Sequence, residues 1–143
     1  MAHIVELKSR QVYDSRGFPT IETDVILSDG SVGSAIVPSG ASTGSYEAHE
    51  LRDKNTKYLN KSVFEAVENV NIKINNTLKS LDAYDQKKID TTLIELDGTK
   101  NKCNIGANSI LSVSIANCKA AAKSKQKEVF EYLSADNLSL IHI

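Results

Sequence analysis

Residues 20–27 alternate without a break. Ile21, Thr23, Val25 and Leu27 fall on one face of an extended chain, and Thr20, Glu22, Asp24 and Ile26 fall on the other. This period of two predicts an antiparallel strand buried on one face. Asp29-Gly30 follows directly, a dipeptide suited to the positive φ values of tight hairpin turns. Val32, Gly33, Ala35, Ile36 and Val37 then predict a third strand, whose small residues call for close packing by another element. Upstream, Ile4, Val5, Leu7, Val12 and Tyr13 mark an extended segment interrupted by charge. It ends at Asp14-Ser15-Arg16-Gly17-Phe18-Pro19, a turn by composition.

After Pro38 the period changes to that of helices. Val63, Val67, Val70, Ile74, Leu78 and Leu81 recur at gaps of three and four, predicting a helix between Lys61 and Leu81. Ile89, Leu93 and Leu96 predict a second helix, with Asp85 as its N-cap and Gly98 as its stop. A third is expected from about Ala107 to Lys123, carrying Ile110, Val113 and Ile115 among many Ala and Ser. Val129, Phe130, Tyr132 and Leu133 predict a last turn or two. The fold class is therefore α+β, a three-stranded antiparallel meander followed by a group of helices.

The 143 residues suffice for one domain with a real core. With 17 basic and 18 acidic side chains the net charge is −1. No strong field points to nucleic acid or an anionic membrane. Trp is absent and aromatics are few, so stacking platforms for single strands are missing too. No run approaches the roughly 20 apolar residues of a membrane span. Met1 to Glu6 lacks the basic and apolar regions of a signal peptide, so a cytoplasmic location is expected. Cys103 and Cys118 are too few for a disulfide framework or a zinc site and are expected to be reduced, half-buried thiols.

Ser39-Gly40-Ala41-Ser42-Thr43-Gly44-Ser45 is the sharpest local feature, seven small residues whose amides and hydroxyls are open to a ligand. It is not a Walker A loop: Gly40 and Gly44 enclose three residues instead of four, and Ser45 stands where Lys is required. A dinucleotide fingerprint fails as well, because no helix and acidic partner follow at the right places.

Several segments together resemble the start of the enolase family. They are Asp14-Ser15-Arg16-Gly17 with Pro19-Thr20, Val37-Pro38 running on through the small-residue loop, and Glu47-Ala48 with Glu50-Leu51-Arg52-Asp53. Leu96-Asp97-Gly98-Thr99 with Asn101-Lys102 follows, then Gly106-Ala107-Asn108 with Ile110-Leu111 and Val113-Ser114. They lie in the family's order and spacing from about Val5 to Leu133. The resemblance implies a lyase that interconverts 2-phosphoglycerate and phosphoenolpyruvate plus water in glycolysis, with two Mg2+ ions and as a homodimer. It implies that the catalytic base and acid belong to a second, barrel domain and that none lies in this chain. Ser39, Gly40, Ala41, Ser42, Thr43 and Gly44 match the family's substrate lid, and Ser42 matches the ligand of the second magnesium on loop closure. A neutral hydroxyl is a hard oxygen donor that adds no charge to an anionic site. Asp14, Arg16 and Glu22 match the dimer contact, where the arginine and glutamate pair with the partner's barrel.

Residues 1–133 are thus expected to form the N-terminal domain, and 134–143 a truncated or artefactual tail without likeness to the family. The chain alone is expected to be inactive. The alternative reading is a stand-alone phosphate- or metal-binding module built on the same loop. Phe18, Lys54, Asn60 and Ser62 depart from the family at turns, Asn60 and Ser62 replacing glycines. His49, between Glu47 and Glu50, is expected to be a surface residue and no metal ligand, with the two glutamates fixing the segment after the loop.

Overall fold

The computed structural model describes residues 1–38, 44–55 and 57–134. Strands β1 (Ile4–Tyr13), β2 (Pro19–Leu27) and β3 (Val32–Ile36) form one antiparallel sheet in the order β1-β2-β3. The alternation in β2 is borne out from Ile21 on: Ile21, Thr23, Val25 and Leu27 are buried, whereas Glu22, Asp24 and Ile26 are only partly so; Thr20, expected on the second face, is buried as well, its hydroxyl bonded to the Val37 carbonyl. Both hairpin turns form as expected. Asp14 Oδ1 accepts from the amides of Arg16 (2.8 Å) and Phe18 (3.0 Å) in the first. In the second, Gly30 takes φ 89° and Asp29 Oδ1 accepts from the Ser31 amide.

The helical part follows as α1 (Phe64–Asn69), a wide π turn (Val70–Ile74), α2 (Asn75–Leu78), α3 (Gln86–Asp97), α4 (Ala107–Ser124) and α5 (Val129–Leu133). The expected 61–81 helix is therefore shorter and irregular. Its start is delayed to Phe64, whose amide is capped by the Asp53 carboxylate (2.9 Å) together with that of Glu65 (3.0 Å). It ends at Leu78 because Ser80 turns left-handed at φ 72°, so Leu81 lies beyond the helix. The other limits hold. The Asp85 side chain accepts from the Lys88 amide, Gly98 stops α3 at φ 72°, and α4 runs one residue past the expected end.

Helix α4 lies across β2 and β3. Its Ala116 and Ala120 come so near to Gly33 that a Cβ there would sit 2.1 Å from the Ala116 carbonyl oxygen and 2.2 Å from the Ala120 nitrogen. This is the close packing that the small residues of β3 foretold. The core between sheet and helices contains Leu7, Ile21, Val25, Val70, Ile74, Ile89, Leu93 and Val113, all at most 2% exposed. A chain of hydroxyls runs through it, from Ser9 Oγ to Thr23 Oγ1 (3.1 Å) and on to Ser112 Oγ (2.8 Å), and Ser112 donates to the Ser109 carbonyl.

Among the described residues the outer edge of β1 has no neighbouring strand, yet its polar groups are met along most of its length. Ile4 exchanges backbone hydrogen bonds with Leu81 and Ser80. The Leu7 amide donates to Asn75 Oδ1 (2.9 Å), and Ser9 exchanges two bonds with the Asn71 amide group (2.7 and 3.1 Å). Gln11 Oε1 accepts from the Val63 amide. Asn71 and Asn75, about one helical turn apart, thus reach alternate residues of the strand, Ser9 and Leu7.

Both cysteines are free. Cys118 is half-buried as expected, but Cys103 is exposed, because the loop after Gly98 turns it outward. Among the described residues no helix is long and apolar enough to cross a membrane.

Candidate functional site

The chain is anchored on both sides of the small-residue segment. On its entry side the Val37 amide donates to the Ile21 carbonyl (3.1 Å), and the buried Thr20 hydroxyl donates to the Val37 carbonyl. On its exit side the Gly44 amide donates to Glu47 Oε2 (2.9 Å). The chain is then fastened to the approach and first turn of α4. His49 N donates to the Asn101 carbonyl (2.6 Å) and Ala107 N to the His49 carbonyl (2.8 Å). The buried Asn108 side chain clamps both backbone groups of Leu51, accepting from its amide (3.1 Å) and donating to its carbonyl (3.0 Å). Ser39, Gly40, Ala41, Ser42 and Thr43 themselves lie outside the described residues, so of the expected lid only Gly44 is placed.

A cavity of about 220 Å³ opens beside these ends, lined by Val37, Pro38, Glu47, Glu50, Asn108 and Leu111. Glu47 holds Gly44, and Glu50 pairs with the Arg52 guanidinium. Both glutamates thus fix the segment after the loop, in line with the sequence reading. His49 is exposed and its backbone, not its ring, makes the contacts. Arg52 also donates to the carbonyls of Pro19 (2.8 Å) and Lys61, and so ties the exit side of the loop to the start of β2. Adjacent Asp53 caps α1. The Arg-Asp pair is therefore a structural fastening.

Magnesium needs hard oxygen ligands and holds its waters unless carboxylates or phosphates assist. Among the described residues no group of three His, Cys, Asp or Glu side chains is placed to hold a metal ion. Glu47 and Glu50 are engaged with Gly44 and Arg52, so the described residues do not fit a magnesium site by themselves.

The second expected site lies in the β1–β2 turn and its flanks. Arg16 Nη2 stands 3.7 Å from Asp14 Oδ2, and the Arg16 guanidinium lies over the Phe18 ring at 5.3 Å. The Phe18 amide, with that of Arg16 and the nearby guanidinium, outweighs the opposing effect of burial and holds the Asp14 carboxyl below its ordinary value. Glu22 is not brought to Arg16. It is bound by Arg10, which sits opposite it in the sheet register and reaches Glu22 Oε1 at 2.6 Å and Asp24 Oδ2 at 2.9 Å. The sequence reading passed over Arg10; its place in the β1 alternation, once paired with β2, was the available signal. Tyr13, Tyr58 and Phe64 pack beside this turn in tilted and edge-to-face contacts, with ring centroids 6.1 and 6.2 Å apart, and remain 56%, 43% and 49% exposed. Tyr58, Leu59 and Asn60 form a left-handed turn, with φ between 53° and 61°. Such a turn is costly in residues that carry a Cβ, and here it falls where the family has glycine at Asn60.

A three-stranded meander backed by helices, with a small-residue loop leaving the last strand, defines an α+β domain of the enolase N-terminal type. The family profile described as the enolase N-terminal domain matches residues 4–133. The chain is 51% identical, over all 143 of its residues, to an enolase from Corynebacterium kroppenstedtii. It belongs to the enolase family and corresponds to the N-terminal domain. It spans 34% of the length of that relative.

Proposed function

We propose that this chain serves as the lid and dimerisation domain of a cytoplasmic enolase, the lyase that converts 2-phosphoglycerate to phosphoenolpyruvate and water. The observation that carries the proposal is the family match over 4–133 joined to 51% identity, over this chain's 143 residues, with a named enolase. The anchoring on either side of residues 39–43 supports the lid: Val37 is fixed on β2, and Gly44 is fixed by Glu47 and by the fastening of 49–51 to α4. In this reading Ser42, together with carboxylates of the barrel domain and the substrate's own oxygens, would hold the second of two Mg2+ ions. The metal would supply charge stabilisation to the anion formed when a proton leaves the carbon next to a carboxylate. This chain's own part is to position the loop and to exclude water from the closed site. The base and the acid come from the barrel domain, so the chain alone is inactive.

A fusion of residues 1–133 to the barrel of the Corynebacterium enolase tests this. The fusion is expected to form phosphoenolpyruvate, followed by its ultraviolet absorbance. Ser42→Ala is expected to lower kcat while leaving the fold intact by circular dichroism. Dehydration of 2-phosphoglycerate by the isolated chain, or full activity of the Ser42→Ala fusion, overturns the proposal.

The dimer part rests on the face around Asp14, Arg16 and Glu22. Contiguous exposed aromatics beside charged groups are typical of association surfaces, and Tyr13, Tyr58 and Phe64 supply them here. Tyr58→Asp in the same fusion is expected to shift the sedimentation coefficient from dimer to monomer. An unchanged dimer removes this face from the proposal.

A further inference from the structure

A second cavity, of about 320 Å³, lies between α3, α4 and α5, on helix faces that take no part in anchoring the loop. This is the small end of the range for ligand sites, roughly 300–1,000 Å³. Its polar wall is built. Gln86 Nε2 donates to Asp90 Oδ1 (2.9 Å) and lies 3.2 Å from Ser114 Oγ, and Ser114 Oγ donates to the same Asp90 oxygen (2.6 Å). Behind it the fully buried Asn117 amide holds the Gln86 carbonyl oxygen (2.9 Å), which locks the orientation of the glutamine. The network thus aims two donors at one Asp90 oxygen, while Gln86 Nε2 also reaches the Ser114 carbonyl (3.2 Å). No hydrogen bond from the described residues reaches Oδ2, and Asp90 has no ion-pair partner among them.

Lys119, one helical turn beyond Ile115 on α4, also lines the cavity, is exposed, and likewise has no ion-pair partner among the described residues. The remaining wall is aliphatic, from Ile115, Val129 and Leu133. A carboxylate with one oxygen to spare, an unpaired ammonium and a branched apolar floor together describe the complement of one ligand chemistry. We propose that this cavity binds a small zwitterion with a branched aliphatic side chain, an amino acid of the leucine type. Its ammonium meets Asp90 and its carboxylate meets Lys119, while its side chain lies on Ile115, Val129 and Leu133.

Cys118 lines the same cavity and provides the reporter, and exposed Cys103 provides an internal reference. Burial, with the negative charge of Asp90, holds the Cys118 thiol above its ordinary value, so alkylation is followed at mildly alkaline pH. The purified chain is treated with iodoacetamide and each cysteine is quantified by mass spectrometry. Leucine at ten times its dissociation constant is expected to slow Cys118 by about tenfold, since only the unoccupied fraction reacts, and to leave Cys103 unchanged. Isocaproate, which lacks the ammonium, and isoamylamine, which lacks the carboxylate, are each expected to bind about fivefold more weakly, the worth of one partly exposed ion pair. Asp90→Asn retains an oxygen for Gln86 and Ser114 and is expected to abolish the preference for leucine over isocaproate. Lys119→Gln, at an exposed position, does the same for isoamylamine and guards against misfolding of the first variant. The proposal is overturned if leucine leaves the Cys118 rate unchanged, if Cys103 slows equally, if the three compounds protect alike, or if both variants keep the wild-type preferences.

Discussion

Gly33→Ala adds one methyl group at the point where β3 meets α4. The new carbon would lie 2.1 Å from the Ala116 oxygen and 2.2 Å from the Ala120 nitrogen, both of them backbone atoms that no rotamer change can move. A carbon and a carbonyl oxygen approach ordinarily to about 3.3 Å, so the helix must retreat by roughly 1 Å. A gap of that size forfeits a quarter to a half of each dispersion contact of about 0.15 kcal/mol. Taking roughly 60 such contacts for the buried face of Val113, Ala116 and Ala120, and a third lost, the cost is about 3 kcal/mol, the upper end for overpacked cores. With a urea m-value of about 2 kcal/mol/M, the unfolding midpoint should fall by about 1.5 M. Gly44→Ala is the control: no atom lies within 4 Å of its Cβ position, and a shift within about 0.5 kcal/mol is expected there. If Gly33→Ala moves the midpoint by less than about 0.5 M with m unchanged, the helix is not seated on the strand as described.

Three further outcomes follow from the same geometry. Asp97 is 1% exposed, and burial acts to raise its pKa. The amides of Ile105, Thr99 and Asn104 and the Thr99 hydroxyl outweigh that and hold it below the ordinary carboxylate value. A lowered folded-state pKa means stability that is present above the unfolded value, about pH 4, and lost as pH falls through the folded one. Asp97→Asn should therefore cost about 2 kcal/mol at pH 7 and flatten the acid limb of a pH–stability curve; an unaltered acid limb counts against it. Asn75→Ala removes the acceptor of the Leu7 amide. A stability loss of about 1 kcal/mol is expected, with faster amide hydrogen exchange at Leu7 and little change at Val25. Thr23→Val deletes the middle of the buried hydroxyl chain and should cost about 1–2 kcal/mol, read as a lower thermal midpoint.

What the sequence revealed was local. The alternation of Ile21 to Leu27, the Asp85 cap and the Gly98 stop each depend on neighbours within a few residues, and each is where the pattern put it. The break of the 61–81 helix was hidden because Asp53, which caps its start, lies eleven residues before Phe64, outside any helical window. Asn71 and Asn75 read as indifferent helix residues, since the strand amides they serve are more than sixty positions away. Arg10 escaped for a related reason: its bond to Glu22 exists only once the register of β1 on β2 is set. At the candidate site, the fastening of Leu51 by Asn108 spans 57 positions and had no pattern to announce it. The ligand role assigned to Ser42 came from family likeness alone and lies outside the described residues.

The closure of the β1 edge by residues 63–83 has a consequence during synthesis. The β1–β2 hairpin leaves the ribosome with that edge bare, and its partners Val63, Asn71, Asn75 and Ser80 emerge only some 50 to 70 residues after Tyr13. At about 5–20 residues per second, the delay is roughly 2.5–14 s, far longer than the microseconds a hairpin needs to form. For that interval the first strand of every nascent chain is a template for its neighbours on the same polysome, and helix α1–α2 acts, in effect, as a chaperone that arrives late and stays.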